Sequence, residues 1–282
     1  YGADNLRLWA ASADYHADVR CSDKIFKQLS QNYLKFRNTA RYCLGNLDGF
    51  DPNELVAPAD MLELDRWAIG RLNALIEKCF QAYDDYEFSA ITHAVNDFCV
   101  VEMSNFYLDI IKDRLYCESR DGLPRRSAQT ALYLILDALT KLMAPILCFT
   151  CDEIWQAMPH RTADDVRNVV FNDMDQPFAD YALDEAAVAR WDKIIAVRDV
   201  VNGVLEAARG AKKIGKSLEA NVSLTVPQED AFLAEMDPAE LADLLIVSQV
   251  SVTVGDAIAA EVVPAEGTKC PRCWKVLPSE HA

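Results

Sequence analysis

Apolar residues recur at helical spacing through roughly the first three quarters of the chain. In the segment 22–47 they fall every three or four positions, which predicts an amphipathic helix with Ser22 or Asp23 at its N-cap. Four further helices are predicted from the same pattern, over about 61–83, 87–116, 125–158 and 184–211. Pro145 is expected to kink the fourth, and the β-branched segment 166–174 is expected to be extended.

The pattern changes after residue 216. The stretch "NVSLTV" alternates as a half-buried strand does, and "SVTVGD" and "AAEVVP" read as further strands. Two short helical stretches lie between the first of these strands and the second. The predicted fold is therefore mainly α. A helical bundle over 1–216 is followed by a small α/β module over 217–266 and by a terminal segment over 267–282, whose C-x-x-C pair in "CPRCW" forms a partial zinc knuckle.

Composition narrows the possible classes of protein. The 282 residues are 51% hydrophobic and 26% charged, which is typical of a globular protein, and no apolar run approaches the ~20 residues of a membrane span. Nine cysteines lie scattered in apolar stretches, which indicates reduced thiols and a cytoplasmic location rather than a disulfide framework. We expect a monomer with no membrane association.

Charge is sorted along the chain. The formal net charge of −16 argues at first against a nucleic-acid partner. The segments 24–41 and 208–216, however, contain basic residues and no acid, whereas 217–268 holds ten acids and neither Lys nor Arg. This distribution fits a few faces that meet an anion on an otherwise acidic surface, although ordinary solvated helix faces would explain each cluster alone.

The first amphipathic helix carries the best candidates for ligand contact. At about 100° per residue, Lys27, Arg37, Asn38 and Arg41 point away from its apolar face. Arg37 and Arg41 are one turn apart, so both guanidinium groups can reach the same ligand. Arginine suits phosphates, base edges and unpaired bases, but exposed helix charges without a ligand remain an equal alternative at this point.

Catalytic patterns are hard to find. The four histidines stand far apart in the sequence, and no glycine-rich phosphate loop occurs. Cys148 and Cys151 form a C-x-x-C that is predicted to sit in the middle of a helix, in the core. Cys270 and Cys273, in "CPRCW", have the form of a zinc knuckle that supplies two thiolates.

Five segments in order resemble bacterial isoleucyl-tRNA synthetases, which are class I aminoacyl-tRNA synthetases. They are "YGADNLRLWAASADYHADVRCSD", "YLKFRNTARYCLGNL", "LTKLMAPILCFTCDEIWQ", "KKIGKSLEANVSL" and "CPRCW". The first and third also resemble valyl and leucyl relatives, whereas the last two are closer to the isoleucyl enzymes. The alternatives are a valyl- or leucyl-type anticodon domain and an all-helical protein-interaction scaffold.

The resemblance implies recognition of the anticodon arm of the tRNA for isoleucine. In that family "YGAD" follows the KMSKS loop, and neither KMSKS nor HIGH occurs in this sequence. The implied fragment therefore binds tRNA and is inactive alone, while ATP and Mg²⁺ serve the aminoacylation by the parent enzyme. The family's first long bundle helix faces the anticodon loop, which implicates Arg37, Asn38 and Arg41, and more weakly Arg114. Lys212 and Lys213 either meet the tRNA or only link two domains.

The resemblance also implies a zinc site that is only half present. In the family a second C-x-x-C pair lies downstream of the segment "KVLPSEHA". We therefore expect weak zinc binding or none, with His281 as a makeshift third ligand. We also expect poor order after Glu266 unless other contacts hold the segment.

Overall fold

Residues 1–277 are described by the computed structural model, and the chain divides into two units, Tyr1–Leu183 and Asp184–Ala282. This division differs from the boundary after 216 expected from the sequence, because the last long helix packs against strand and helix elements that follow it. Hydrophobic periodicity identifies the helix but cannot say which neighbours its apolar stripe will cover.

The first unit is a helical bundle, as predicted. Its helices are α1 (Ala3–Ser12), α2 (Asp23–Gly45), α3 (Glu63–Asp84), α4 (Phe88–Asp97), a π-helix (Phe98–Tyr107), α5 (Leu108–Ile110), α6 (Lys112–Cys117), α7 (Leu123–Met143) and α8 (Cys148–Ala157). Two single 3₁₀ turns follow, Val169–Phe171 and Ala179–Tyr181.

Helix α7 runs through the centre of the first unit. Every residue from Ser127 to Met143 is buried, and the helix packs against α2, α3 and α8. Burial of each large aliphatic side chain contributes roughly 1.5–3 kcal/mol. Leu132, Leu136 and Leu139 are among these side chains, so α7 anchors the helices that surround it.

Two predicted helices are interrupted. The predicted 87–116 helix contains the π-helix and one further break at Ile111, and the Ser104 hydroxyl donates to the Cys99 carbonyl five residues earlier at 2.8 Å. The predicted 125–158 helix is two helices, α7 and α8, because Pro145 lies in the turn between them. The segment 166–174 was predicted as extended but includes the turn Val169–Phe171, which the Asn168 side chain caps.

Buried charges tie the irregular segment after α8 to α7. Asp137 accepts hydrogen bonds from Lys141 at 3.0 Å and from Arg161, and Lys141 also reaches Asp175 at 3.1 Å. Burial and the nearby charge of Asp175 raise the pKa of Asp137 to about 7, against the attraction of Lys141 and Arg161. Asp164 also pairs with Arg161, so three carboxylates share two cations, which favours retention of a proton near neutral pH.

The second unit contains α9 (Glu185–Gly210), α10 (Pro238–Leu245) and a small sheet. Its strands and 3₁₀ segments are Ser217–Glu219, β1 (Ala220–Pro227), Gln228–Ala234, β2 (Gln249–Gly255), β3 (Ala259–Pro264), β4 (Thr268–Lys269) and β5 (Val276–Leu277). In the three-stranded sheet β1 is central, parallel to β2 and antiparallel to β3. Alternate residues of β1 are buried, as the sequence pattern predicted, and β4 pairs with β5 as a separate hairpin. Within residues 1–277, no helix combines the length and apolarity needed to cross a bilayer.

Candidate nucleic-acid interface

Helix α2 separates an apolar face from a basic one. Ser22 caps the helix by accepting the Ile25 N–H at 3.4 Å, and Phe36, Ala40 and Cys43 are buried. The N-cap and the apolar spacing predicted from the sequence are therefore confirmed. Because the buried positions repeat with the helical period, the polar positions between them must face outward.

All four residues predicted for ligand contact on α2 lie on its exposed side. Lys27, Asn38 and Arg41 fall on one stripe at helical spacing, with exposed Leu34 between them, and Arg37 borders that stripe. Within residues 1–277 none of the four polar side chains takes part in a hydrogen bond or ion pair. We call Lys27, Leu34, Arg37, Asn38 and Arg41 the α2 face. Its donors can meet a ligand without first breaking an internal bond.

Arg114, the weaker candidate for tRNA contact, lies in a different environment from the residues of the α2 face. Its guanidinium contacts both carboxylate oxygens of Asp65 at 3.2 Å, and Asp65 also accepts from the Tyr107 hydroxyl at 2.7 Å and the Ser127 hydroxyl at 2.5 Å. Burial raises the pKa of Asp65, while the charge of Arg114 opposes that effect. Arg114 therefore neutralises a buried carboxylate, to which its Nη1 group donates.

One aromatic residue near the α2 face was not singled out from the sequence. The Tyr116 ring is 60% exposed at the end of α6. Burial raises the pKa of the Tyr42 hydroxyl, and interaction with the neighbouring Tyr116 hydroxyl raises it further, which places Tyr116 beside the residue that follows Arg41 on α2. Its neighbour Leu115 is buried, whereas Tyr116 is exposed.

The basic loop of the second unit forms a separate cationic surface. Arg209, Lys212 and Lys213 line a cavity of about 400 Å³ with Gly215 and Glu219. The lysine side chains are exposed. The loop belongs to the second unit, whereas the α2 face belongs to the first.

The two cysteines of "CPRCW" lie at the tip of the β4–β5 hairpin. Backbone N–H groups of Cys273 and Arg272 donate to the Cys270 sulfur and lower the pKa of its thiol, which suits a thiolate ligand. No third His, Cys, Asp or Glu joins them anywhere in residues 1–277 to complete a metal-binding group. The predicted role of His281 lies outside the described residues.

Contacts hold the hairpin against the rest of the second unit. The Val276 N–H donates to the Ser248 hydroxyl at 2.6 Å, and the Gln249 amide donates to the Glu266 carbonyl at 2.8 Å. The Lys275 ammonium also pairs with Asp243. The sequence-based expectation of poor order after Glu266 was conditional on the absence of such contacts, and these contacts are present.

The other C-x-x-C lies at the start of a helix. Cys148 is the first residue of α8, so the prediction of a mid-helix position was wrong, because the turn at Pro145 starts a new helix. Cys151 is buried, and burial raises the pKa of its thiol well above the ordinary value. This environment disfavours the thiolate that redox chemistry would require of Cys151.

The chain is similar to known tRNA ligases. Residues 65–224 match the model of the anticodon-binding domain of tRNA ligases. The chain is 47% identical to the isoleucine–tRNA ligase of Syntrophotalea carbinolica, over 99% of its own length and 31% of that protein. It is 48% identical to the enzyme of Geobacillus kaustophilus, over 98% of its own length and 31% of that protein.

These relatives are much longer than the chain, which spans about 31% of their length. Their match includes nearly the whole chain, so it extends over α2, which precedes the region covered by the family model. Among solved structures, a ternary complex of Agrobacterium radiobacter K84 LeuRS, tRNA and LeuAMS matches 95% of the chain and 24% of that protein. Its sequence identity is 13% and its TM-score is 0.43, too low to carry an argument.

Proposed function

The chain belongs to the anticodon-binding domain family of tRNA ligases, and from that membership we propose that it binds the anticodon arm of the tRNA for isoleucine. The observation that carries the proposal is the α2 face, where two arginines, a lysine and an asparagine share an exposed surface without internal partners among residues 1–277. The near-complete match to isoleucine–tRNA ligases favours isoleucine over the valyl and leucyl alternatives.

The α2 face suits an RNA loop better than a duplex. Unpaired loop bases can be turned outward, so that their edges accept donors from Arg37, Arg41 and the Asn38 amide. Leu34 offers an apolar patch in the same stripe, and the exposed Tyr116 ring offers a surface on which a base can stack. The acidic surplus elsewhere on the chain would repel RNA from other faces.

The whole ligase would carry out ATP-dependent attachment of isoleucine to its tRNA. The 282 residues contain neither HIGH nor KMSKS, so we assign RNA binding and positioning to this chain and the Mg²⁺- and ATP-dependent chemistry to other parts of the ligase. On this proposal, the chain without those parts does not form isoleucyl adenylate.

Zinc is the metal that best fits the hairpin of Cys270 and Cys273. A structural zinc ion takes four ligands in tetrahedral geometry, and two thiolates joined by a tight turn form a common half of such a site. The described residues provide two ligands, and completion needs two more. When bound, zinc would stabilise the tip of the hairpin without taking part in chemistry.

Fluorescence anisotropy with a labelled isoleucine tRNA tests the role of the α2 face. Replacing Arg37 and Arg41 together by Ala should weaken binding by roughly 1–3 kcal/mol for each arginine that meets a base, because planar paired donors disappear. Replacing both by Lys keeps the positive charge but removes the planar paired donors of the guanidinium group. This variant should therefore recover only the salt-dependent part of the binding free energy. Lys78→Ala, an exposed cation on α3 outside the face, is the matched control and should bind as the parent does.

Two results would contradict the proposal. If the double alanine variant bound the tRNA as tightly as the parent chain does, the α2 face would not be part of the interface. Equal affinity of the parent chain for valine, leucine and isoleucine tRNAs would reduce the interaction to nonspecific attraction between cations and phosphates.

A further inference from the structure

Lysine occupies a position at the end of α9 that glycine usually fills. The Lys213 N–H donates to the Ala208 carbonyl at 3.0 Å, and the Lys212 N–H donates to the Arg209 carbonyl at 2.9 Å. These bonds close the helix with Lys212 in the left-handed conformation, at a φ of 57°. A Cβ atom makes that conformation unfavourable, which is why glycine predominates at the residue after a helix.

The side chain of Lys212 faces a concave cationic surface. With Arg209 and Lys213 it lines the cavity of about 400 Å³ next to Gly215 and Pro264. Arg209 pairs with Glu206 one turn earlier on α9, whereas across residues 1–277 neither lysine pairs with any side chain. The strain at Lys212 is therefore not compensated by a contact of its ammonium group within that part of the chain.

The loop that carries these lysines is held in place from both sides. Ile214 is buried, and the Gly215 and Lys216 N–H groups donate to the Glu219 carboxylate at 2.9 and 3.3 Å. The Lys269 ammonium lies 3.3 Å from the same carboxylate. These donors lower the pKa of Glu219 and offset its negative charge beside the cavity.

The β4–β5 hairpin braces the same loop. The Lys216 ammonium lies 4.8 Å from the centre of the Trp274 ring, a cation–π contact, and Lys269 of β4 reaches Glu219. A loop fixed in this way presents Lys212 and Lys213 at defined positions, so little ordering entropy is lost when an anion binds.

We propose that the basic loop 209–216 binds a phosphate group of the RNA backbone, and that Lys212 tolerates its strained conformation because its ammonium contacts that phosphate. This inference rests on the proposed function and adds a second RNA-binding surface in the second unit, independent of base identity. A loop that served only as a linker would have no use for a side chain at residue 212, where glycine would be more stable.

The decisive variant is Lys212→Gly in the complete 282-residue chain. It should raise the midpoint of thermal unfolding by about 2–4 °C, because backbone strain is relieved. It should also weaken isoleucine tRNA binding about fivefold at 0.1 M salt and reduce the slope of log affinity against log salt by about 0.7, the value for one phosphate that is no longer neutralised. Lys212→Arg keeps both the charge and the strain, so it should match the parent in affinity, salt slope and unfolding midpoint.

The opposite pattern would overturn the proposal. Unchanged tRNA affinity and salt slope in Lys212→Gly, with parent-like binding through the α2 face, would exclude a phosphate contact and leave the proposed function intact. If the parent chain itself failed to bind tRNA, the proposed function would be wrong. Loss of inorganic phosphate binding without any loss of RNA affinity would show a site for a small free anion, which also contradicts the inference.

Discussion

Arg114 can be tested for a structural role against the RNA-binding role that the sequence suggested for it. In the variant Arg114→Met the fully buried Asp65 loses its cation and keeps only the hydroxyl donors of Tyr107 and Ser127. Removal of one partner of a buried ion pair costs about 3–5 kcal/mol. Because Arg114 is 23% exposed and two donors remain, we expect the lower end, about 3 kcal/mol.

The expected effect is large enough to measure by thermal unfolding. A loss of about 3 kcal/mol corresponds to a fall of roughly 6–12 °C in the unfolding midpoint of a unit of this size. The deficit should grow as the pH rises above the ordinary titration range of a carboxyl group, because the pKa of Asp65, already raised by burial, rises further without Arg114. Protonation of the folded state then restores stability at low pH, and that gain is lost as the pH rises through the folded pKa.

Two further variants isolate the ion pair. Asp65→Asn combined with Arg114→Met should recover part of the lost stability, because an uncharged amide does not need the cation. Arg41→Met, on the exposed α2 face, should change stability by no more than about 0.5 kcal/mol. Parent-like stability in Arg114→Met together with reduced tRNA affinity would refute the structural role and return Arg114 to the RNA interface.

Other consequences can be checked on the same protein. In the parent chain the Asp137 carboxyl, with its pKa of about 7, loses its proton as the pH rises from 6 to 8, and the protein loses about 1 kcal/mol of stability with it. Asp137→Asn should remove this pH-dependent loss. A variant whose urea unfolding depends on pH as the parent's does would contradict this. Leu224→Ala, on the central strand of the second unit, should cost about 2–5 kcal/mol through the cavity it leaves, and a loss below ~1 kcal/mol in urea unfolding would argue against tight packing there. Cys270→Ser should abolish any zinc that metal analysis finds after dialysis of the parent chain, whereas retention of that zinc would place its ligands elsewhere.

The sequence alone determined much of the helical architecture and the character of the α2 face. Apolar residues at helical spacing fix which side of α2 is buried, and that geometry forces Arg37, Asn38 and Arg41 outward whatever packs against the other side. In the same way, strict alternation over β1 required one buried face and one more accessible face. These are local properties, because the period of the backbone and the order of the side chains are sufficient to set them.

Tertiary structure decided which charged side chains remain available to bind a ligand and where the helices are interrupted. Arg114 and Asp65 are separated by 49 residues, and no local pattern reveals that packing of α6 beside α3 and α7 brings them together. The π-helix also places Tyr107 at the same carboxylate, and the turn at Pro145 moves Cys148 to a helix start. Even the strain of Lys212 depends on how α9 ends, because a left-handed residue after a helix is set by the path of the following chain rather than by the preference of lysine.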